Sequence, residues 1–350
     1  MVCARHTADR RIAWWLFACC AMVFVMVVLG GVTRLTDSGL SIVQWRPISG
    51  VLPPLDAAAW EREFENYKHY PEFQQLNRDM TLDGFKSIFW LEYLHRLWGR
   101  LIGIVFLVPF VYFLATGRLQ PAIRRRLAAI FALGAMQGVL GWYMVMSGLV
   151  QRPDVSQYRL VAHLSLAFFL YGYMLWVALD LWRGGGTPAP RALRRAAVLC
   201  LALVCAAVVS GGFVAGTDAG FAYNTFPLMA GRWIPEEYAR MEPFWRNLFE
   251  NIAAVQFNHR VLTLSASLCA IALWWHARRT LAGRARLALH ALGAAALLQP
   301  ALGIATLLLA VPVPLAAAHQ AGGLVLFSVA LWLVHALGGA PGAPAGGARA

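Results

Sequence analysis

The chain has 350 residues, of which 59% are hydrophobic and only 13% are charged. Soluble domains are rarely more than half apolar, so the composition excludes that class and indicates a polytopic membrane protein. The formal net charge of +13 does not indicate nucleic-acid binding, because the arginines cluster in alternate connections between apolar segments. By the positive-inside rule both termini face the cytoplasm, and we expect a multi-pass protein of the bacterial plasma (inner) membrane.

Eight apolar segments follow one another, each long enough to cross a hydrocarbon core of about 30 Å. They cover residues 14–32, 91–115, 127–146, 160–181, 192–215, 253–276, 287–310 and 313–337. We expect the first to remain as an uncleaved helix. The longest connections, 33–90 and 216–252, lie on the outer side. The tail 341–350 is rich in Gly, Pro and Ala, which predicts disorder.

The second half of the chain repeats the first. Gly-Gly followed by Thr-Asp-x-Gly occurs at 30–39 and again at 211–220, and Gln-x-x-x-Gly occurs at 137–141 and 299–303. Each half has an even number of spans, so both enter the membrane in the same orientation. We therefore predict an all-α integral membrane protein with eight transmembrane helices, arranged as two tandem, parallel-repeat four-helix bundles at 1–185 and 186–340.

Four histidines occupy matching places near the outer ends of apolar segments: His95, His163, His259 and His319. A lone histidine in an apolar helix is more often a satisfied core residue. However, an imidazole inside a bilayer is costly unless it pairs, ligates or relays protons. Two pairs at one depth are what two haems with axial imidazole ligands require, so we expect all four to be haem-iron ligands. The other five histidines have no counterpart and are expected to be solvated or interfacial: His6, His69, His276, His290 and His335.

A carboxylate distinguishes the two halves. The first has Glu92-x-x-His95, whereas the second has Gln256-x-x-His259. Residues three apart share a helix face, so Glu92 is expected beside the ring that His95 ligates. A carboxylate there can move protons or orient a substrate, which a glutamine cannot. The pattern favours chemistry in the N-terminal half and a permanent cofactor in the C-terminal half; the alternative is that Glu92 caps the start of its helix.

Three arginines lie at the same outer depth as the histidines. Arg96 and Arg260 directly follow histidines, and Arg159 begins another span. They are placed to meet the carboxylates of a haem, or else to snorkel to the membrane interface.

Three stretches resemble the haem A synthase family. They are residues 30–47, GGVTRLTDSGLSIVQWRP; residues 89–100, FWLEYLHRLWGR; and residues 216–229, GTDAGFAYNTFPLM. The likeness covers almost the full chain. One branch of the family has a cysteine pair in the first outer loop. This sequence has none between residues 33 and 90, so it is similar to the other branch.

The resemblance implies an oxidoreductase that converts haem O into haem A for aa3-type terminal oxidases, by oxidising the methyl group on porphyrin carbon 8 to a formyl group. It implies that His95 and His163 frame the haem O site, with Glu92 as catalytic carboxylate, and that His259 and His319 ligate a resident haem b. Expected partners are haem O synthase (the farnesyltransferase), oxidase assembly factors, membrane lipid and an unidentified electron donor or acceptor. A homo-oligomer is left open, and no nucleic acid is expected.

Two other classes use the same residues. A dihaem b-type membrane cytochrome would transfer electrons from quinol through the same four histidines. A transporter or haem-handling chaperone would bind haem without redox chemistry. Since two axial histidines leave no open position on iron, either His95 or His163 must release it if oxygen is activated there. Alternatively, electrons are withdrawn from the substrate and water supplies the oxygen atom.

Overall fold

The computed structural model describes residues 2–46, 49–183, 186 and 189–338. That part of the chain contains ten α-helices and no strand. Helices α1 to α5 span Val2–Leu35, Ala57–Lys68, Pro71–Gln75, Leu82–Ala115 and Pro121–Gly148. Helices α6 to α10 span Gln157–Arg183, Arg191–Gly216, Ile252–Ala277, Gly283–Leu308 and Val313–Ala336. Eight of them, α1 and α4 to α10, are long and apolar enough to cross a membrane, which confirms the predicted all-α membrane fold.

Every bound of these eight helices lies within six residues of its predicted apolar segment, apart from two starts. Helix α1 begins at Val2 rather than near residue 14, and α4 begins at Leu82 rather than near residue 91. The hydroxyl of Thr81 caps α4 by accepting from the Gly84 N–H at 3.3 Å. The added turns pack Phe85 and Phe89 into a buried cluster with α2. A hydropathy search misses these turns because they are stabilised by packing on α2 rather than by contact with lipid.

The two halves pack with matching neighbours. Helix α1 contacts α4 and α6 as α7 contacts α8 and α10, and the halves meet through α1 with α10 and α6 with α7. This arrangement is compatible with the tandem repeat, which stays a prediction, as do the boundaries at 185 and 340. The tail 341–350 lies outside the described residues.

Polar contacts join the halves at two depths. The Tyr171 hydroxyl on α6 lies 2.8 Å from the Ser328 hydroxyl on α10. At the C-terminal end of α1, Arg34 donates from Nη2 to both oxygens of the Asp218 carboxylate, at 2.8 and 2.9 Å. This ion pair joins the end of α1 to the turn that follows α7.

One of the five remaining histidines does not lie where the sequence predicts. His335 on α10 is buried, with only 2% of its surface exposed. Its Nε2 lies 3.1 Å from Asp180 on α6, and Asp180 also accepts from Arg126 at 2.7 Å. The expectation of a solvated or interfacial His335 is wrong, because α10 packs against α6 and brings a carboxylate to it.

Candidate functional site

Each of the four predicted ligand histidines packs against a glycine of a neighbouring helix. A Cβ placed on Gly141 would lie 2.8 Å from Cε1 of His163, and one on Gly303 would lie 2.7 Å from Cε1 of His319. The other two contacts are Gly30 with His95 and Gly211 with His259, at 3.2 and 3.1 Å. These glycines let the backbone of one helix approach the imidazole of the next. All four imidazoles are half-buried between helices.

The histidines lie near each other in two pairs, one in each half. His95 and His163 lie close enough to interact electrostatically, and so do His259 and His319. Among the described residues, no group of three or more His, Cys, Asp or Glu side chains could hold a bare metal ion. Two imidazoles suit a metal that brings its own equatorial ligands, as haem iron does. The donor set of each half therefore fits a haem.

A serine contacts the ring of His259. The Ser210 hydroxyl lies 2.9 Å from the Ala207 carbonyl and 2.8 Å from Nδ1 of His259. If the hydroxyl donates its one hydrogen to the carbonyl, its oxygen accepts from a protonated Nδ1, and the lone pair of the ring is on Nε2. That is the protonation state that an iron ligand needs.

Glutamines support the second histidine of each pair. The Gln137 side-chain amide donates to the His163 carbonyl at 3.0 Å and lies 3.4 Å from Nε2 of its ring. The Gln299 amide donates to the His319 carbonyl at 2.8 Å and lies 3.2 Å from Nδ1 of that ring. The two contacts come from matching places in the Gln-x-x-x-Gly segments. Both histidines are thus held by the preceding membrane helix.

Glu92 is buried, and both its oxygens are engaged. Oε2 accepts from the Ser41 hydroxyl at 2.7 Å and from the Ile42 N–H at 2.8 Å. Oε1 accepts from Nε and Nη2 of Arg96, at 2.9 and 2.5 Å. Because α4 begins at Leu82, Glu92 lies well inside the helix and does not cap its start. Its carboxylate instead joins the segment that follows α1, residues 36–46, to the helix that carries His95.

Arg96 continues this connection. Its Nη2 donates to the Ile42 carbonyl at 2.7 Å, and its Nη1 to the Gln44 carbonyl at 3.3 Å. Glu92 and Arg96 together therefore bind three backbone groups: the Ile42 N–H and the carbonyls of Ile42 and Gln44. We call this arrangement the Glu92–Arg96 clamp.

In the second half a glutamine takes the place of the carboxylate of the clamp. Gln256 donates to the Ala219 carbonyl at 2.7 Å and accepts from Arg260 Nη2 at 3.0 Å. Arg260 Nη2 also donates to the Tyr223 carbonyl at 2.8 Å. Its Nε is buried without a hydrogen-bond partner among the described residues. That orphaned donor fits a haem carboxylate, whereas Arg159 is engaged with the Tyr143 carbonyl at 2.7 Å.

A match to a protein-family model over almost the whole chain identifies the family. The model of the COX15-CtaA family, described as cytochrome oxidase assembly protein, matches residues 13–331. The chain belongs to the COX15-CtaA family.

Individual members of the COX15-CtaA family are similar over almost the whole chain. The Heme A synthase of Nitrosospira multiformis is 52% identical over 338 residues, 95% of each chain. That of Parvibaculum lavamentivorans is 50% identical over 334 residues, again 95% of each. Heme A synthase COX15 of Bos taurus is 47% identical over 341 residues, covering 94% of this chain and 83% of the relative.

Sequence reasoning missed three contributors to the candidate site of this COX15-CtaA member. The glycines that face the histidines could have been found, because they recur at matching places in the two halves. Ser41 and the Ile42 N–H carry no such signal, since they lie in an irregular segment. Ser210 also has no signal, because the matching place in the first half is Leu29.

Proposed function

We propose that this protein is a haem A synthase, which oxidises the methyl group on porphyrin carbon 8 of haem O to a formyl group. The two pairs of neighbouring histidines carry the proposal, since they would provide one site for a substrate haem and one for a resident haem. Membership of the COX15-CtaA family and the printed names of its similar members support the same reaction. The product would supply terminal oxidases of the aa3 type.

The N-terminal pair, His95 and His163, would hold haem O, and the C-terminal pair, His259 and His319, would hold haem b. A bound haem b supplies a redox centre for one-electron transfer. Two observations support this division. Ser210 lies 2.8 Å from Nδ1 of His259, a contact of the kind that orients a permanent ligand. The Glu92–Arg96 clamp lies on the helix that carries His95.

The Glu92–Arg96 clamp would position the outer wall of the haem O site. Glu92 holds the Ser41 hydroxyl and the Ile42 N–H, so the segment after α1 stays closed against α4. A closed wall excludes water from the reacting edge of the substrate. Glu92 is also the carboxylate nearest in sequence to His95 on the same helix face, so it is the group that can take up a proton once Arg96 moves away.

The protein would act in the bacterial inner membrane with both termini in the cytoplasm and both haem sites near the outer face. Haem O is a greasy molecule, so direct transfer from the farnesyltransferase that makes it avoids an aqueous step. Oxidase assembly factors are the expected recipients of the product, and an electron donor or acceptor remains to be identified.

The test is to co-express the protein with a haem O synthase, extract the haems and separate them by chromatography with mass detection. Haem A or its hydroxylated precursor should form with the wild type, and Glu92→Ala should abolish or arrest its formation. Glu61→Ala, an exposed carboxylate on α2, is the matched control and should leave the yield unchanged. Haem b alone, with haem O left unchanged, would overturn the proposal in favour of an electron-transfer cytochrome.

A further inference from the structure

A cavity of about 280 Å³ lies between α2, α4 and the segment that follows α1. Only one carboxylate residue, Glu63, lines it, together with four arginines: Arg46, Arg62, Arg96 and Arg100. The lining therefore has a net positive charge, and guanidinium groups that converge on one cavity attract an anion. We call this cavity the basic pocket.

The carboxylates near the basic pocket are already occupied. Glu63 accepts from Nη1 of Arg46 at 2.9 Å, and Glu92 accepts from Arg96. Arg62 on α2 is exposed and makes no hydrogen bond or ion pair with any described residue. Its guanidinium is therefore available to a ligand, and arginine binds a phosphate well because two parallel N–H groups match two phosphate oxygens.

The basic pocket lies on a different side of α4 from the histidine site. Four residues of α4 line it, at spacings of three and four that place them on one face: Phe89, Tyr93, Arg96 and Arg100. His95 is turned away from each of them by about 100–160° around the helix axis, and it packs against Gly30 of α1. An anion in the basic pocket would therefore not be the haem that His95 ligates.

Exposed apolar side chains next to the basic pocket match the acyl chains of a lipid. Leu52, which lines the pocket, is 71% exposed. The face of α4 that carries Arg100 continues along the span as Ile104, Leu107 and Val111, and all three side chains are exposed. A phospholipid with its phosphate in the pocket would lay its chains along this face, whereas a soluble anion would not contact it.

We propose that the basic pocket binds the phosphate of an anionic phospholipid from the leaflet on the side of α2. Basic pockets beside membrane helices bind head groups of this kind. The lipid would contact Arg62 on α2 and Arg100 on α4, so it would join the outer segment to its membrane helix. The inference does not depend on the proposed reaction, because binding is measured without turnover.

Native mass spectrometry of the delipidated full-length protein measures this binding. Phosphatidylglycerol should bind more tightly than phosphatidylcholine, which has the same phosphate but no net charge. Arg62→Gln should weaken phosphatidylglycerol binding by about fivefold. Arg152→Gln removes an exposed arginine outside the pocket and should leave that binding unchanged. Equal affinities for the two lipids, or equal effects of the two substitutions, would overturn the proposal.

Two further measurements separate the other occupants. Glycerol 3-phosphate carries the same phosphate without acyl chains. If it binds as tightly as phosphatidylglycerol, the pocket holds a soluble anion and the lipid proposal is wrong. Haem content is measured on the same samples. Loss of haem in Arg62→Gln, with lipid binding unchanged, would assign the pocket to a haem carboxylate and would also overturn the proposal.

Discussion

Replacement of Glu92 by glutamine keeps the size of the side chain and removes its charge. The carboxylate has donors on both sides, with the Ser41 hydroxyl and the Ile42 N–H on Oε2 and Arg96 on Oε1. An amide offers one acceptor and one donor. If its oxygen faces Ile42, its NH₂ group faces the guanidinium; if it is turned round, its NH₂ group faces the Ile42 N–H. Either orientation sets donor against donor.

The cost is large because the pair is buried. Only 3% of the Glu92 side chain and 18% of the Arg96 side chain are exposed. Removing one partner of a buried ion pair typically costs about 3–5 kcal/mol. Each 1.4 kcal/mol is a factor of about ten in an equilibrium constant. We therefore expect the equilibrium constant for local opening of residues 36–46 to rise by roughly a hundredfold to a few thousandfold.

Amide hydrogen exchange of the purified protein measures this opening directly, because the Ile42 N–H is itself one of the donors. Glu92→Gln should accelerate exchange at Ile42 strongly, and the exposed-site control Glu61→Gln should not. Helix amides in the centre of α4 report whether the whole protein has been destabilised. If Ile42 exchanges at the wild-type rate in Glu92→Gln, the clamp does not hold the outer segment and the reasoning is refuted.

Two further outcomes are expected. Burial raises the pKa of Glu72, which accepts from the Tyr67 hydroxyl at 2.9 Å, to about 8. The folded protein then binds more protons than the unfolded chain between pH 4.5 and about 8. The region around α3, which carries Glu72, should therefore become less stable as pH rises through that range. Glu72→Gln should make the stability of that region, measured by its hydrogen exchange, less dependent on pH. Gly141→Ala should lower the haem content of the N-terminal site, because its Cβ would lie 2.8 Å from His163. Gly138→Ala, on the same helix with no atom within 4 Å, is its control; equal haem contents in the two variants would contradict the packing argument.

Membrane helices and their spacing could be predicted from sequence because lipid imposes a simple rule on every span. An apolar run of sufficient length becomes a helix, and the eight runs all did. The start of α4 follows a different rule. Its first turns face α2. Their stability comes from the cluster that Phe85 and Phe89 form with Phe64 and Tyr67, rather than from the length of an apolar run.

Candidate ligands could be selected from sequence because the same residue types recur in both halves, and recurrence separates a pattern from chance. Contacts made by unrepeated residues could not. The hydrogen bond from Ser41 to Glu92 joins positions 51 residues apart, and Ser41 itself lies in a segment without regular structure. Only the folded path of residues 36–46 brings the two together, and nothing in the local sequence encodes that path.

Helix α1 links the two candidate sites because of two consecutive glycines. Gly30 faces His95 of the N-terminal pair, and Gly31 faces Gln320, which directly follows His319 of the C-terminal pair. The Gln320 amide donates to the Val27 carbonyl on α1 at 2.8 Å. A Cβ at Gly31 would lie 1.8 Å from Oε1 of Gln320, so a larger residue there would displace the Gln320 side chain from its present position. One helix therefore contacts both sites, and a displacement of α1 would reach His95 and the neighbour of His319 together.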